Sequence, residues 1–162
     1  DPEMSRGLGD VYKRQGQVDA IAGVATGAIP QGALVADALN LPFVYVRSTP
    51  KDHGLENLIE GELRPGMKVV VVEDLISTGG SSLKAVEAIR RDGCEVIGMV
   101  AAYTYGFPIA EKAFKDAKVP LVTLTNYEAV MEVALRIGYI EEEDVLTLNE
   151  WRKDPAHWEA GK

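Results

Sequence analysis

The chain has 162 residues, of which 17 are basic and 25 are acidic, so its formal net charge is −8. This length is sufficient for one domain with a substantial hydrophobic core. The negative charge argues against a general surface for nucleic acid or anionic membrane, so an anionic ligand must be bound at a local site. The single cysteine, Cys94, excludes a disulfide within the chain, and we expect it to be a small core residue.

The first fifteen residues differ from the rest of the chain. They are polar, with glycines spaced among them, and follow neither a helical nor a strand period. We predict that residues 1–15 are a disordered or artefactual leader and that residues 16–162 form one domain. The sequence shows no secretory segment and no apolar span of ~20 residues, so we expect a cytoplasmic protein without a membrane partner.

From Val18 onward, short apolar runs alternate with helical patterns, which is typical of a parallel sheet flanked by helices. The predicted strands are Val18–Val24, Phe43–Val46, Lys68–Glu73, Glu95–Tyr103 and Leu121–Leu124. The predicted helices are Pro30–Leu39, Gly80–Arg91, Ile109–Ala117, Tyr127–Ile137 and Glu142–Arg152. Residues suited to helix ends are Pro30, Gly93, Asn126 and Gly138. We therefore predict an α/β fold with a central, mostly parallel sheet.

The segment from Val69 to Ser82 has the clearest functional pattern. Four consecutive valines predict a strand that is buried on both faces. Glu73 and Asp74 follow at its carboxyl end, before a loop of small residues and a helix. The backbone N–H groups of such a loop and the positive end of the helix dipole favour a phosphate. Two adjacent carboxylates indicate a ligand that carries a phosphate and either hydroxyls or bound Mg²⁺.

Other interpretations of this segment are weaker. Gly79 and Gly80 could form an ordinary turn, and Ser81 or Ser82 could be a simple helix N-cap. A Walker loop requires a lysine that the segment lacks, and a dinucleotide-binding fingerprint has no acidic pair before it.

Three stretches resemble a known family. Residues 71–81 resemble the phosphoribosyl pyrophosphate (PRPP) signature of the type I phosphoribosyltransferases. Residues 45–61 contain an Arg-x3-Lys-x-His-Gly pattern and resemble the mobile catalytic loop of orotate phosphoribosyltransferases. Residues 21–30 resemble the family's pyrophosphate-side loop and the helix that follows it. On these motifs the chain is identified as a member of the orotate phosphoribosyltransferase family, with the type I phosphoribosyltransferase fold.

The resemblance implies an activity and its partners. Ribose 5-phosphate would be transferred from PRPP to orotate, giving orotidine 5′-monophosphate and pyrophosphate in pyrimidine (UMP) biosynthesis. Mg²⁺ would be the cofactor, held through PRPP near Glu73 and Asp74 without a direct protein ligand. The family's catalytic loop reaches a neighbouring subunit, so the resemblance implies a homodimer, and it implies no nucleic-acid partner.

The resemblance also assigns the site residues. The expected PRPP-binding residues are Arg47, Lys51, His53, Glu73, Asp74, Ser77, Thr78, Gly79, Gly80 and Ser81, the last five forming a phosphate cradle. Among them Lys51, His53 and Asp74 are the expected catalytic residues. Thr26 and Gly27 belong to the pyrophosphate-side loop. Asp74 is expected to contact the ribose hydroxyls, with Glu73 supporting the sugar. Because adjacent strand residues point to opposite faces, one of these two acids can instead be solvated or paired within the protein.

Some features depart from the family pattern. Ser48 and Thr49 stand where some members have another basic residue, and the pyrophosphate-side loop lacks a lysine found in others. Thr104 to Phe107 stand where some members have an arginine, so recognition of the base must differ or use backbone groups. Residues 1–15 do not resemble the family's N-terminal hood over the base site, so we expect no recognisable hood in this chain. Three alternatives therefore remain: a purine phosphoribosyltransferase, a non-catalytic PRPP-binding regulator, and an enzyme with an incomplete base site.

Overall fold

The computed structural model describes residues 18–49 and 58–158. Its strands are β1 (Ala20–Val24), β2 (Phe43–Val46), β3 (Ile59–Glu60), β4 (Lys68–Ile76), β5 (Glu95–Thr104) and β6 (Leu121–Asn126). Its α-helices are α1 (Ile29–Leu39), α2 (Gly80–Arg91), α3 (Pro108–Asp116), α4 (Tyr127–Arg136) and α5 (Glu142–Lys153). A 3-10 turn, Pro155–His157, follows α5. Among the described residues, no helix has the length and apolar character required to span a bilayer.

The six strands form one sheet in the order β3-β2-β1-β4-β5-β6. β1 pairs in parallel with β2 and β4, and β4 pairs in parallel with β5, whereas the short β3 is antiparallel to β2. The strand order reverses between β1 and β4, and ligands of open α/β sheets bind beyond the carboxyl ends of the strands at such a point. The predicted α/β fold with a mostly parallel sheet is confirmed.

β4 is the centre of the core because it is buried on both faces. Val69 and Val71 belong to a cluster that includes the inward face of α2, and Val70 and Val72 belong to a second cluster with Ala36 of α1. Burying a valine stabilises the folded state by roughly 1.5–3 kcal/mol. This packing fixes the end of β4, and with it the two acids that follow the valines.

Most predicted elements are confirmed with small shifts at their ends. α2 has the predicted bounds, Pro30 lies in the first turn of α1, and the side chain of Asn126 accepts a hydrogen bond from the N–H of Ala129 at 2.9 Å. Gly93 and Gly138 have positive φ, as expected. α3 begins and ends one residue earlier than predicted, and β1 begins two residues later.

Two differences concern the functional region. β4 continues to Ile76 instead of ending at Glu73, because its backbone keeps pairing with β5 through Leu75–Tyr103 and Ile76–Thr104. β3 was not predicted, since two residues are too few to show a period of their own.

The chain divides into two compact units. One ends at Thr125 and contains the sheet almost entirely, and the other begins at Asn126 and contains α4 and α5. In the second unit Arg152 pairs with Glu128 at 2.6 Å and lies over the ring of Tyr127, 4.7 Å from its centroid. The residues predicted to form the site all belong to the first unit.

Candidate functional site

Asp74 and the pyrophosphate-side loop are in direct contact. The loop, residues 25–28, follows β1 and is fixed by hydrogen bonds from the N–H of Ala25 to the carbonyl of Val46 at 2.8 Å and from the N–H of Ala28 to that of Val24 at 3.1 Å. The peptide bond between Ala25 and Thr26 is cis. A Cβ atom on Gly27 would overlap the carboxylate of Asp74. Only glycine therefore allows the backbone of this loop to lie against the acid.

Asp74 itself presents a carboxylate that solvent and a ligand can reach. The residue is half-buried, and its Oδ1 accepts a hydrogen bond from the N–H of Leu75 at 2.7 Å. The exposed Thr26 and Gly27 lie beside it. The partly exposed carboxylate and the exposed turn together present polar groups to solvent at this edge of the sheet.

Glu73 lies on the opposite face of β4 and is paired within the protein. It is 4% exposed, its Oε2 accepts a hydrogen bond from the hydroxyl of Ser82 at 2.7 Å, and its Oε1 accepts one from the N–H of Asp74 at 3.0 Å. Burial, followed by the interaction with the Asp74 side chain, raises the pKa of Glu73 to about 7, although the Ser82 hydroxyl opposes the rise. The two acids thus have different environments, which matches the opposite-face alternative considered from the sequence.

The phosphate cradle, Ser77–Ser81, connects β4 to α2. Gly79 has a φ of 82° and is the N-cap of α2, and a Cβ there would be 2.9 Å from the ring of Phe114. Within the described structure no side chain caps this helix end. The first N–H groups of α2 have no acceptor within the helix, and Thr78, Gly80 and Ser81 are exposed. The cradle therefore offers backbone donors and a helix dipole to an anion.

Arg47 follows β2 and lines a cavity that also contains Ser81 of the cradle. Its N–H donates to the carbonyl of Leu58 at 2.7 Å, and its Nη1 lies 3.3 Å from Oε1 of Glu60, with both side chains 28% exposed. The cavity has a volume of about 390 Å³. Its lining residues are Val24, Ala25, Val46, Arg47, Ser48, Leu58, Ser81, Lys84, Ala85, Glu87 and Arg91.

Lys84 and Arg91 were not singled out from the sequence. They are seven residues apart on α2, so they share one face of the helix, and both line the cavity with Arg47. To identify them as cavity residues, one would have to know which face of α2 is directed towards β2.

The carboxyl end of β5 forms a second polar region beside β4. The N–H of Tyr105 donates to the carbonyl of Ile76 at 3.1 Å, and the N–H of Gly106 donates to Oγ1 of Thr104 at 3.0 Å. The rings of Tyr105 and Phe107 stack with centroids 5.4 Å apart. A cavity of about 390 Å³ adjoins this end and is lined by Thr104, Gly106, Ala110, Glu111, Phe114, Lys115, Val119, Leu121 and Thr123. Residues 104–107, which stand where some family members have an arginine, are therefore held by backbone and aromatic contacts.

The structure brings together several, but not all, of the residues expected to bind PRPP. Asp74 meets Gly27, and Ser81 shares a cavity with Arg47. Glu73 is bonded to Ser82, which was considered only as a possible N-cap. Lys51 and His53 lie outside the described residues, so their positions stay predictions.

Comparison with known proteins shows the family of this chain. A family model described as "Phosphoribosyl transferase domain" matches residues 6–136. A protein named orotate phosphoribosyltransferase from Bacteroides fragilis is 93% identical over 152 residues, which are 94% of this chain and 72% of that protein. The chain belongs to the orotate phosphoribosyltransferase family.

More distant proteins are also similar to this chain. An orotate phosphoribosyltransferase from Porphyromonas gingivalis is 68% identical over 156 residues, covering 96% of this chain and 73% of that protein. The crystal structure of orotate phosphoribosyltransferase from Aeropyrum pernix superposes with a TM-score of 0.66 at 31% identity, covering 87% of this chain and 80% of that one. Adenine phosphoribosyltransferase from Rhodothermus marinus, at 22% identity and a TM-score of 0.64 over 78% of each chain, shares the fold.

Proposed function

We propose that this chain transfers ribose 5-phosphate from PRPP to orotate, a step of pyrimidine biosynthesis. Membership of the orotate phosphoribosyltransferase family supports this assignment. The observation that carries it in the structure is the contact between Asp74 and Gly27, which joins the acid to the pyrophosphate-side loop. The phosphate cradle lies beside this contact. Asp74, which can accept hydrogen bonds from hydroxyls, therefore lies between two groups of donors, the cradle for one phosphate group and the pyrophosphate-side loop for the other.

The 5′-phosphate of PRPP is bound by the cradle. The backbone N–H groups of Ser77 to Ser81 and the hydroxyls of Ser77, Thr78 and Ser81 donate hydrogen bonds to its oxygens. The helix dipole of α2 adds a positive field, so no lysine is required within the loop. Asp74 accepts hydrogen bonds from the ribose hydroxyls, and Glu73 supports Asp74 from the other face of β4.

The leaving pyrophosphate is held at the pyrophosphate-side loop. Backbone groups of Thr26 and Gly27 bind it, and Arg47 offers a planar pair of donors to its oxygens. Lys51 and His53, on the catalytic loop, add positive charge and a hydrogen bond as the C1′–O bond breaks. The developing charge is greatest in the transition state, so these residues act mainly there.

The reaction requires no covalent nucleophile from the protein. The C1′–O bond to pyrophosphate breaks with its electron pair leaving on oxygen, and the resulting oxocarbenium-like ribose is attacked by N1 of orotate. The N1 proton is lost to solvent or pyrophosphate, and a C1′–N bond is formed. The site must exclude water, which would otherwise hydrolyse the same carbon.

Mg²⁺ fits this site as an ion that is bound through the substrate. Among the described residues, no cluster of three or more His, Cys, Asp or Glu side chains could hold a metal. Mg²⁺ commonly binds through substrate phosphates with few carboxylates, which suits a site whose accessible acid is Asp74. When bound, it would neutralise pyrophosphate charge and orient PRPP.

The resemblance of the catalytic loop supports a homodimer in which each loop serves the neighbouring subunit's site. In that assembly Asp74 and the cradle of one subunit act with Lys51 and His53 of the other. Arg47 and Glu60 lie near the two ends of this loop and form an ion pair.

A panel of bases tests the proposed activity. The chain is incubated with PRPP and Mg²⁺ and with orotate, adenine or hypoxanthine, and the ultraviolet absorbance of each base is followed. We expect only orotate to be consumed, with pyrophosphate released in equal amount. Consumption of a purine alone would assign the chain to a purine phosphoribosyltransferase, and PRPP binding without consumption of any base would indicate a regulator.

A further inference from the structure

The hydrogen bond between Ser82 and Glu73 closes the loop that contains the phosphate cradle. The two residues are nine positions apart, and every cradle residue lies between them. The donor is 1% exposed and the acceptor 4% exposed, so solvent does not compete for this 2.7 Å bond. A bond that joins the ends of a flexible loop reduces the number of conformations that the loop can adopt.

The position of Ser82 in α2 makes this bond unusual. Gly79 is the N-cap, so Ser82 is the third residue of the helix, where a polar side chain often bonds back to the free N–H groups of the helix end. Here its hydroxyl is directed instead to Glu73 of β4. The N–H groups at the start of α2 therefore remain available to donate hydrogen bonds to an anion in the cradle.

We propose that Ser82 is a positioning residue for the 5′-phosphate: by bonding to Glu73 it holds the first turn of α2 against the end of β4 and orders the cradle. This inference rests on the proposed function of the site. Because Ser82 is 1% exposed and its hydroxyl bonds to Glu73, its role is exerted through the backbone of the cradle. Burial alone would favour a neutral Glu73, and the Ser82 hydroxyl lowers the pKa of this acid.

This role is tested by whether a substitution at Ser82 weakens binding of the 5′-phosphate half of PRPP and not of the pyrophosphate half. Ribose 5-phosphate carries the 5′-phosphate and the ribose hydroxyls, whereas inorganic pyrophosphate probes the other loop. Calorimetry measures the affinity of both for the unaltered chain and for Ser82→Ala, in the presence of Mg²⁺. We expect Ser82→Ala to bind ribose 5-phosphate about tenfold more weakly and pyrophosphate within about twofold of the unaltered chain. Thr147→Ala, which removes an exposed hydroxyl from α5, is the matched control and should change neither affinity.

Unchanged affinity for ribose 5-phosphate in Ser82→Ala would overturn the proposal, and so would an equal loss for both ligands. Should Ser82→Ala fail to fold, Ser82→Cys keeps the shape of the side chain, with a somewhat larger sulfur atom, but donates a weaker hydrogen bond. The same selective loss is expected for this variant, and its absence would overturn the proposal. The test is separate from that of the proposed activity. An unaltered chain that binds both ligands but consumes no orotate would contradict the activity and leave this inference to be judged by the variants.

Discussion

Gly27 is the residue of the pyrophosphate-side loop whose missing side chain matters most. Its Cα lies so close to the carboxylate of Asp74 that any Cβ must displace that group. We therefore predict that Gly27→Ala weakens PRPP binding by about tenfold or more, because Asp74 can no longer meet the ribose hydroxyls. Calorimetry of PRPP binding measures this loss. Gln31→Ala, at an exposed position of α1, is the control, and equal PRPP affinity in both variants would show that Asp74 does not depend on the glycine.

Lys51 is expected to act on the leaving group, although it lies outside the described residues. We predict that Lys51→Ala lowers kcat by ~10²-fold or more with little loss of PRPP affinity, as expected for an interaction made mainly in the transition state. Steady-state kinetics and calorimetry on the same preparation separate the two effects. Lys112→Ala, which removes an exposed lysine from α3, controls for loss of charge. Comparable losses in kcat and in affinity would contradict this assignment.

At the scale of the element, β4 carries a buried carboxyl whose ionisation opposes folding. Burial raises the pKa of Glu73 from 4.5 to about 7, so the folded chain keeps this proton more tightly than the unfolded chain does. The stabilisation is present below pH 4.5 and is lost as pH rises towards about 7. It amounts to on the order of 3 kcal/mol.

Glu73→Gln removes this titration while keeping the shape of the side chain. Urea unfolding at about pH 5 and about pH 8 should therefore show a smaller fall in the free energy of unfolding for this variant than for the unaltered chain. Glu95→Gln removes an exposed carboxyl at the start of β5 and should behave like the unaltered chain. Equal pH dependence in all three proteins would mean that Glu73 is ionised at both pH values.

Helices and strands were predicted well where their apolar side chains follow a helical or strand pattern. They were predicted less well where only backbone pairing with a neighbouring strand defines the element. The valines of β4 and the apolar face of α2 made both elements visible in the sequence. The extension of β4 to Ile76 and the two-residue β3 depend on pairing with neighbouring strands, which a single sequence does not reveal.

The site was predicted through its motifs, and its contacts were not. The Ser82–Glu73 bond joins residues nine positions apart, a spacing that corresponds to no local hydrogen-bonding pattern. The close approach of Gly27 to Asp74 joins the ends of β1 and β4, which are adjacent only in the sheet. Both contacts depend on how the strands and helices are arranged. The sequence therefore indicated which residues belong to the proposed site, but only the structure showed which of them are in contact.

At the scale of the whole molecule, sharing of the catalytic loop predicts complementation between two impaired variants assayed at low PRPP concentration. In a mixed dimer of Lys51→Ala and Asp74→Asn chains, one site contains both substitutions and the other contains neither. When equal amounts of the two variants exchange subunits freely, about one half of the dimers are mixed. Each mixed dimer has one intact site of two, so the mixture should show about one quarter of the unaltered activity. The separate variants, assayed at the same total concentration, are the controls. Activity no greater than their sum would mean that each loop serves its own subunit.

Orotate consumption at varied PRPP concentration, measured by absorbance for the unaltered chain and for Asp74→Asn, tests the central claim most directly. We predict PRPP-dependent loss of orotate by the unaltered chain, with equal release of pyrophosphate. We also predict a KM for PRPP at least about tenfold higher in Asp74→Asn, since this acid binds the ribose hydroxyls. No orotate consumption by an unaltered chain that binds PRPP would contradict the activity, and an unchanged KM in Asp74→Asn would contradict the site.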